Sequence, residues 1–211
     1  VTGSRATFCT QAKKIHIDID ASELNKNIPV DVGIVGDAAE VLSDLKERLA
    51  PREERPWVQE LIQYRAHNPL PENVRKNGVE LRNVLRAVRL IMGEDTIVVT
   101  DVGQHQMITC QYYQFNRPRT LLSSLGLGTM GYGMGAANGA QCAFPNRPVA
   151  MITGDGSFHM NFQEFATAVT EQLPIVVILD NNSVLGMVRQ WQSLFFGNRY
   201  SQTTPFRRTD Y

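Results

Sequence analysis

The chain has little of what marks several classes of protein. Its 21 basic residues balance 21 acidic ones, and this absence of net charge argues against nucleic acid or an anionic membrane as a partner. No apolar run reaches membrane-spanning length, and we find no signal peptide. The three cysteines, Cys9, Cys110 and Cys142, lack metal-site spacing, so we expect small buried residues in a reducing compartment such as the cytoplasm. Because the chain begins at Val1 without Met, we expect a piece of a longer protein.

What is present is the composition of a globular protein, with 43% hydrophobic and 20% charged residues. Strands and helices alternate, which predicts an α/β fold: an open, mostly parallel sheet with helices on both faces. We expect the end of a small α/β domain at residues 1–49, a charged linker at 50–77 and the main domain at 78–211. The expected strands include 14–19, 30–37, 96–103, 120–124, 148–156 and 174–182, and the expected helices include 38–49, 57–65, 78–91, 109–115, 158–172 and 186–195.

Two neighbouring strands are followed by side chains that carry oxygen. GDGS at residues 154–157 ends one apolar strand, and NN at residues 181–182 ends the next. A right-handed crossover places Asp155 and Asn182 at the same carboxyl edge of the sheet. Their oxygens suit Mg²⁺, which completes its shell with a substrate's phosphates, and the amides of Gly156 and Ser157 suit an anion. The alternative is a helix cap at Asp155 and an asparagine turn; both motifs together favour a metal–diphosphate site.

A glycine-rich segment offers a different interpretation. Gly126, Gly128 and Gly131 have the G-x-G-x-x-G spacing of dinucleotide-binding helices. That site needs an acidic residue about 20 positions further on, where the only acid nearby is Asp155. The metal–diphosphate motif already uses Asp155, which counts against a dinucleotide-binding module, and that module is kept as the alternative interpretation.

Four segments carry a resemblance to a known family. They are DVGQHQM at 101–107, LGLGTMGYG at 125–133, GDGSFHMNFQE at 154–164 and NNSVLGMVRQWQ at 181–192. They resemble the catalytic region of the acetohydroxyacid synthase (acetolactate synthase) large subunit, an enzyme dependent on thiamine diphosphate (ThDP). The resemblance covers residues 78–204 closely and 1–49 loosely. It implies a ThDP-binding fold of the pyrophosphate type, preceded by part of a middle domain.

The resemblance implies roles for individual residues. Mg²⁺ would be held by Asp155, Asn182 and the backbone carbonyl of Val184. Gly128 would accept from the 4′-amino group of the cofactor with Thr129 beside it, and Met130 would support the cofactor's bent shape. The diphosphate would lie by Gln104, His105, Gly156, Ser157, Asn182, Leu185, Gly186 and Met187. Trp191 would contact the second substrate, and Asp18, Ile19, Asp37 and Ala38 would contact FAD. From the residues alone, the acids that end the first two strands are interpreted as helix caps.

The implied activity is decarboxylation of pyruvate and condensation of the hydroxyethyl unit with pyruvate or 2-oxobutyrate, in branched-chain amino acid biosynthesis. The family's catalytic glutamate lies on an N-terminal domain and acts across a dimer interface, so we expect the 211 residues to be inactive alone. The full-length chain would form a homodimer or tetramer with a regulatory small subunit, in a bacterial cytoplasm or a eukaryotic organelle. The alternatives are a pyruvate oxidase, a glyoxylate carboligase or a non-catalytic ThDP-binding module.

Overall fold

The chain is described by a computed structural model at residues 3–51, 53, 55–69, 79–204 and 209–211. It divides into two compact units, Val1–Pro71 and Glu72–Tyr211. Of the predicted linker, residues 52, 54 and 70–77 lie outside the described residues, as does the first residue of the predicted helix 78–91. No helix among the described residues is long and apolar enough to cross a membrane.

The first unit contains a two-stranded parallel sheet. Its elements are β1 (Ile15–Asp18), a 3₁₀ helix (Ala21–Glu23), β2 (Val32–Val35), α1 (Ala38–Arg48) and α2 (Pro56–His67). Asp37 caps α1, because its carboxylate accepts from the amides of Ala39 (2.8 Å) and Glu40 (3.2 Å). Asp20 caps the 3₁₀ helix by accepting from the amide of Ser22 at 2.8 Å. The interpretation of these two acids as helix caps is therefore confirmed.

The second unit is built on a four-stranded parallel sheet in the order β4-β3-β5-β6. Its strands are β3 (Ile97–Thr100), β4 (Leu121–Ser123), β5 (Val149–Gly154) and β6 (Ile175–Asp180). Its helices are α3 (Leu81–Met92), α4 (Gln104–Tyr112), α5 (Tyr132–Ala143), α6 (Asp155–Asn161), α7 (Glu164–Thr170) and α8 (Gly186–Phe195). The predicted α/β class, with a mostly parallel sheet, is confirmed.

Alternating side chains of the central strands form two hydrophobic cores, one on each face of this sheet. Val99 and Met151 pack with α5 and α7 in one core. Val98 and Ile152 pack with α3 and the end of α4 in the other. The central strands are buried on both faces, as the continuous apolar runs predict, and the helices cover both faces.

Two predicted helices differ from the structure. The helix predicted at 158–172 is two helices, α6 and α7, separated at residues 162–163. Hydrogen bonds to other elements flank this break: Asn161 donates to the Gly131 carbonyl (3.2 Å), and Asn138 donates to the Glu164 carbonyl (3.0 Å). The helix predicted at 109–115 begins five residues earlier, at Gln104. It buries polar residues on its first turns, so hydrophobic periodicity does not reveal it.

The expectation that the cysteines are buried is wrong. Cys9, Cys110 and Cys142 are all free and exposed. Cys142 lies near the end of α5, and Cys110 lies on α4. In both helices the buried faces are occupied by other residues, such as Thr109 and Gln141, so a cysteine is not needed to fill the core.

Candidate functional site

A cavity of about 240 Å³ lies at the carboxyl edge of the second unit's sheet. The strand ends meet there because β5 and β6 run in parallel with Gly154 opposite Asp180, and β3 ends opposite Ile152. This is the edge at which open α/β sheets bind ligands. The cavity is lined by residues 102–105, 128, 130, 154–157, 182 and 184–188.

The structure brings together most of the residues that the sequence predicts for the site. Thr129 and Trp191 are the two from the second unit that do not line the cavity. The Thr129 amide donates to the Ser124 hydroxyl at 3.1 Å. Trp191 lies on α8 with 58% of its surface exposed, and its ring contacts Phe195.

Sequence reasoning missed four residues of the lining: Val102, Gly103, Gly154 and Val188. The two glycines stand inside motifs that it did single out, DVGQHQM and GDGS. A glycine between a strand and a helix is the available signal, because it lets backbone or side chains approach closely.

Asp155 has the environment of a cation ligand. It is 7% exposed, and no hydrogen bond or ion pair reaches its carboxylate within the part of the chain that the structure describes. It does not cap α6, whose N-cap is Gly154. Its oxygens therefore stay free to bind a cation in the cavity, and a carboxylate oxygen is a ligand that Mg²⁺ prefers.

Asn182 faces the same cavity from the end of β6. Its side-chain oxygen accepts from the Val184 amide at 3.0 Å, so the predicted asparagine turn is present. An amide oxygen has a second lone pair, and the turn therefore leaves it able to bind a metal. No cluster of three His, Cys, Asp or Glu side chains that could hold a metal occurs among the described residues, which fits a metal that depends on a ligand's oxygens.

His105 is enclosed between two glycines. A Cβ on Gly103 would lie 2.6 Å from its Cε1 atom, and one on Gly154 would lie 2.8 Å from its Nδ1 atom. The residue is 4% exposed, and its burial lowers the pKa of the imidazole to about 4, against the opposing effect of a hydrogen bond to the Asp101 backbone. Its Nε2 atom is buried and has no partner among the described residues. A neutral imidazole therefore borders the cavity.

Asp101, which follows β3, connects three parts of the site. Its carboxylate accepts from the amides of Val102 (3.1 Å) and Gly131 (2.8 Å). Burial raises the pKa of this carboxyl, and these backbone hydrogen bonds oppose the rise. The Ser157 hydroxyl donates to the Val102 carbonyl at 2.7 Å. The end of β3, the start of α5 and the start of α6 are thereby held together.

Side chains from the loops before α5 and α8 converge on Gly156, in the first turn of α6. A Cβ there would lie 2.6 Å from a methyl of Leu185 and 3.8 Å from the methyl of Met130. Gly128, which precedes Met130 in the same loop, has φ +66°, a conformation that favours glycine. Met130 therefore borders the cavity and is not a core residue.

Comparison with known proteins agrees with this geometry. Residues 101–211 match the family model of the thiamine pyrophosphate enzyme C-terminal TPP binding domain, and residues 1–45 match that of the central domain. The first match covers more than half of the chain and contains every cavity residue. The chain belongs to the thiamine pyrophosphate enzymes. Thiamine pyrophosphate is the same molecule as ThDP.

Individual members of this family are similar over nearly the whole chain. It is 40% identical over 209 residues to the acetolactate synthase isozyme 3 large subunit of Escherichia coli, covering 96% of this chain and 36% of that protein. It is 42% identical to the isozyme 2 large subunit of the same organism, covering 100% of this chain and 38% of that protein. For the acetolactate synthase large subunit of Pyropia yezoensis the identity is 43%, with coverages of 96% and 35%. The chain thus spans just over a third of the length of these curated relatives.

The residues predicted to contact FAD lie in the first unit, outside this cavity. Asp18 ends β1, and its carboxylate accepts from the Asp20 amide at 2.9 Å. Asp37 caps α1, which Ala38 begins, and Ile19 is 75% exposed. These contacts account for both acids without a ligand, so FAD binding stays a prediction.

Proposed function

We propose that this chain is the diphosphate-binding part of a ThDP- and Mg²⁺-dependent acetolactate synthase. The complete enzyme decarboxylates pyruvate and condenses the hydroxyethyl unit with pyruvate or 2-oxobutyrate. The observation that carries the proposal is the Asp155 carboxylate, which has no hydrogen bond or ion pair among the described residues and borders the same cavity as Asn182, within the TPP binding domain. The similarity to acetolactate synthase large subunits supports the choice of reaction.

Mg²⁺ would be held by the side-chain oxygens of Asp155 and Asn182 and by the backbone carbonyl of Val184. All three residues border the cavity. Two hard oxygen side chains and one carbonyl leave room for water and for diphosphate oxygens in an octahedral shell. The single negative charge of Asp155 also limits repulsion of the incoming diphosphate.

The diphosphate would lie between α4, α6 and the loop before α8. Gly156 and Gly186 would leave room for it. A side chain lies close beside each glycine, so a larger residue at either position would narrow the cavity. His105 borders the same space. Ser157, Leu185 and Met187 complete this part of the wall.

The aminopyrimidine end would lie by the loop that precedes α5. Gly128 would accept from the 4′-amino group through its carbonyl, Met130 would support the cofactor's bent shape, and Thr129 would hold the loop through Ser124. When bound, ThDP supplies the electron sink for breaking the carbon–carbon bond next to an oxo group. The chain's own contribution is to orient the cofactor and exclude water around its reactive end.

The finer assignments of the complete enzyme follow from the same proposal. Trp191, largely exposed on α8, would contact the second substrate. Asp18, Ile19, Asp37 and Ala38 would border FAD in the complete middle domain. The full-length chain would act in the cytoplasm as a homodimer or tetramer with a regulatory small subunit, a partner in keeping with the name "large subunit" of its relatives. Residues 1–211 alone would show no turnover.

The test is calorimetric titration of the natural full-length protein with ThDP, with and without Mg²⁺. We expect binding that requires Mg²⁺ and is lost in Asp155→Asn, whereas the matched variant Asp44→Asn, at an exposed position of α1, binds as wild type. Acetolactate is the expected product from pyruvate. Acetate from pyruvate, or tartronate semialdehyde from glyoxylate, without acetolactate would point to another ThDP enzyme, and binding of NAD without ThDP would point to a dinucleotide module.

A further inference from the structure

Two glutamine side chains meet across the cavity wall. Gln104 is the first residue of α4, and Gln190 lies in α8, 86 positions further along the chain. The Gln104 Nε2 atom donates to the Gln190 Oε1 atom at 3.0 Å. Gln104 lines the cavity and Gln190 does not. We infer that Gln190 is a positioning residue, which holds the Gln104 carboxamide in place for the cofactor's diphosphate; this inference rests on the proposed function.

The carboxamide of Gln104 is held from two sides by one face of α8. A Cβ on Gly186 would overlap the Gln104 Oε1 atom and lie 2.9 Å from its Cδ atom. Gly186 and Gln190 are four residues apart, so they lie on the same side of the helix. The carboxamide therefore packs against the backbone of Gly186, and its nitrogen donates a hydrogen bond to Gln190.

This arrangement decides which atoms Gln104 offers to a ligand. A carboxamide nitrogen carries two N–H groups, and Gln190 accepts from one of them. The structure records no other hydrogen bond from this side chain among the residues it describes, which leaves the second N–H for a ligand. A diphosphate only accepts hydrogen bonds, so it needs a donor at this point. Without Gln190 the carboxamide could rotate by half a turn and present its oxygen to the diphosphate.

A purely structural role for the same contact predicts different results. If the hydrogen bond only ties α4 to α8, its loss would lower the stability of the fold and leave cofactor affinity unchanged. A positioning role instead requires that the effect of Gln190 on affinity pass through Gln104. Coupling between two residues is what a double-mutant cycle measures.

The experiment measures the Kd of ThDP, with Mg²⁺ present, by calorimetry on the natural full-length protein. The variants are Gln190→Met, Gln104→Met and the double variant. Methionine keeps the length of the side chain and removes the hydrogen bond. We expect Gln190→Met to weaken binding about three- to ten-fold, the loss of one neutral hydrogen bond, and to have no further effect when Gln104 is already methionine. The matched control, Gln111→Met at an exposed position of α4, should bind as wild type.

A second variant tests the same contact without changing either glutamine. Gly186→Ala places a methyl group where the Gln104 carboxamide lies, so it should weaken ThDP binding and make Gln190→Met ineffective in its background. An unchanged Kd in Gln190→Met, or additive losses in the double variant, would overturn the inference while leaving the proposed function intact. Absence of ThDP binding by the wild-type protein would overturn the proposed function itself.

Discussion

The buried imidazole of His105 should make the free energy of unfolding of this domain decrease at low pH. The residue is 4% exposed, and its burial lowers the pKa from an ordinary 6.5 to about 4. Below pH 6.5 the unfolded chain binds a proton at this histidine, whereas the folded chain does not until about pH 4. The free energy of unfolding is therefore unaffected by protonation of this histidine above pH 6.5, and it decreases as the pH falls from 6.5 toward 4.

The size of this loss follows from the two pKa values. A shift of about 2.5 units corresponds to about 3 kcal/mol once both states are protonated. At pH 5 the folded imidazole is still mostly neutral, so about 2 kcal/mol of the unfolding free energy is lost relative to pH 7.5. The buried carboxyl of Asp101, whose pKa is raised, acts in the opposite direction, because its stabilising effect is lost as the pH rises. Comparing the wild type with a His105 variant at each pH removes this second contribution.

Urea unfolding of the cofactor-free protein at pH 7.5 and pH 5, followed by circular dichroism, measures the effect. We expect His105→Gln to be less stable than wild type at pH 7.5, yet to lose about 2 kcal/mol less on acidification. The control, His67→Gln in α2, replaces an exposed imidazole and should keep the acid loss of the wild type. If His105→Gln and wild type lose the same free energy between the two pH values, the proposed state of the imidazole is wrong.

Three further changes test the packing. Met151→Ala should cost about 2–5 kcal/mol of unfolding free energy, because Met151 is fully buried, whereas Met160→Ala, at a residue 54% exposed, should cost much less; equal losses would contradict the core assignment. Gly154→Ala should cost about 1–3 kcal/mol, since its Cβ would lie 2.8 Å from the enclosed imidazole, whereas Gly135→Ala meets open space and should be neutral or stabilising by urea unfolding. Asp37→Ala removes two capping hydrogen bonds and should lower the helix content of α1 by circular dichroism, at a cost of about 1 kcal/mol.

Strand positions could be predicted because the signal for a strand is local. The central strands are buried on both faces, so Val98 and Met151 belong to short continuous apolar runs. Such runs are typical of strands in a parallel sheet covered on both sides. The placement of Asp155 beside Asn182 followed from the handedness of one crossover. Parallel pairing of β5 with β6, with Gly154 opposite Asp180, confirms that placement.

Contacts that join distant parts of the chain could not be predicted. The beginning of α4 has a buried face made of His105, Gln106 and Thr109, which has no apolar period to detect. The hydrogen bond between Gln104 and Gln190 depends on how α4 and α8 pack against each other. The two residues are far apart in the sequence, and no local pattern predicts that they meet. The cysteine prediction failed for a related reason: a residue type's average burial does not say which face of a helix it occupies.

The glycine-rich segment shows how one buried acid changes the meaning of a motif. In a dinucleotide site, the first amides of the helix after the glycines bind the pyrophosphate. Here Asp101 already accepts from the amide of Gly131 at the start of α5. Gly131 has φ +84°, and a Cβ on Gly133 would lie 3.0 Å from the carboxylate, so both glycines serve this internal contact. This carboxylate takes the place that a phosphate would need at the start of the helix, which argues against a dinucleotide there, and the proposed phosphate site lies instead at the strand end near Asp155.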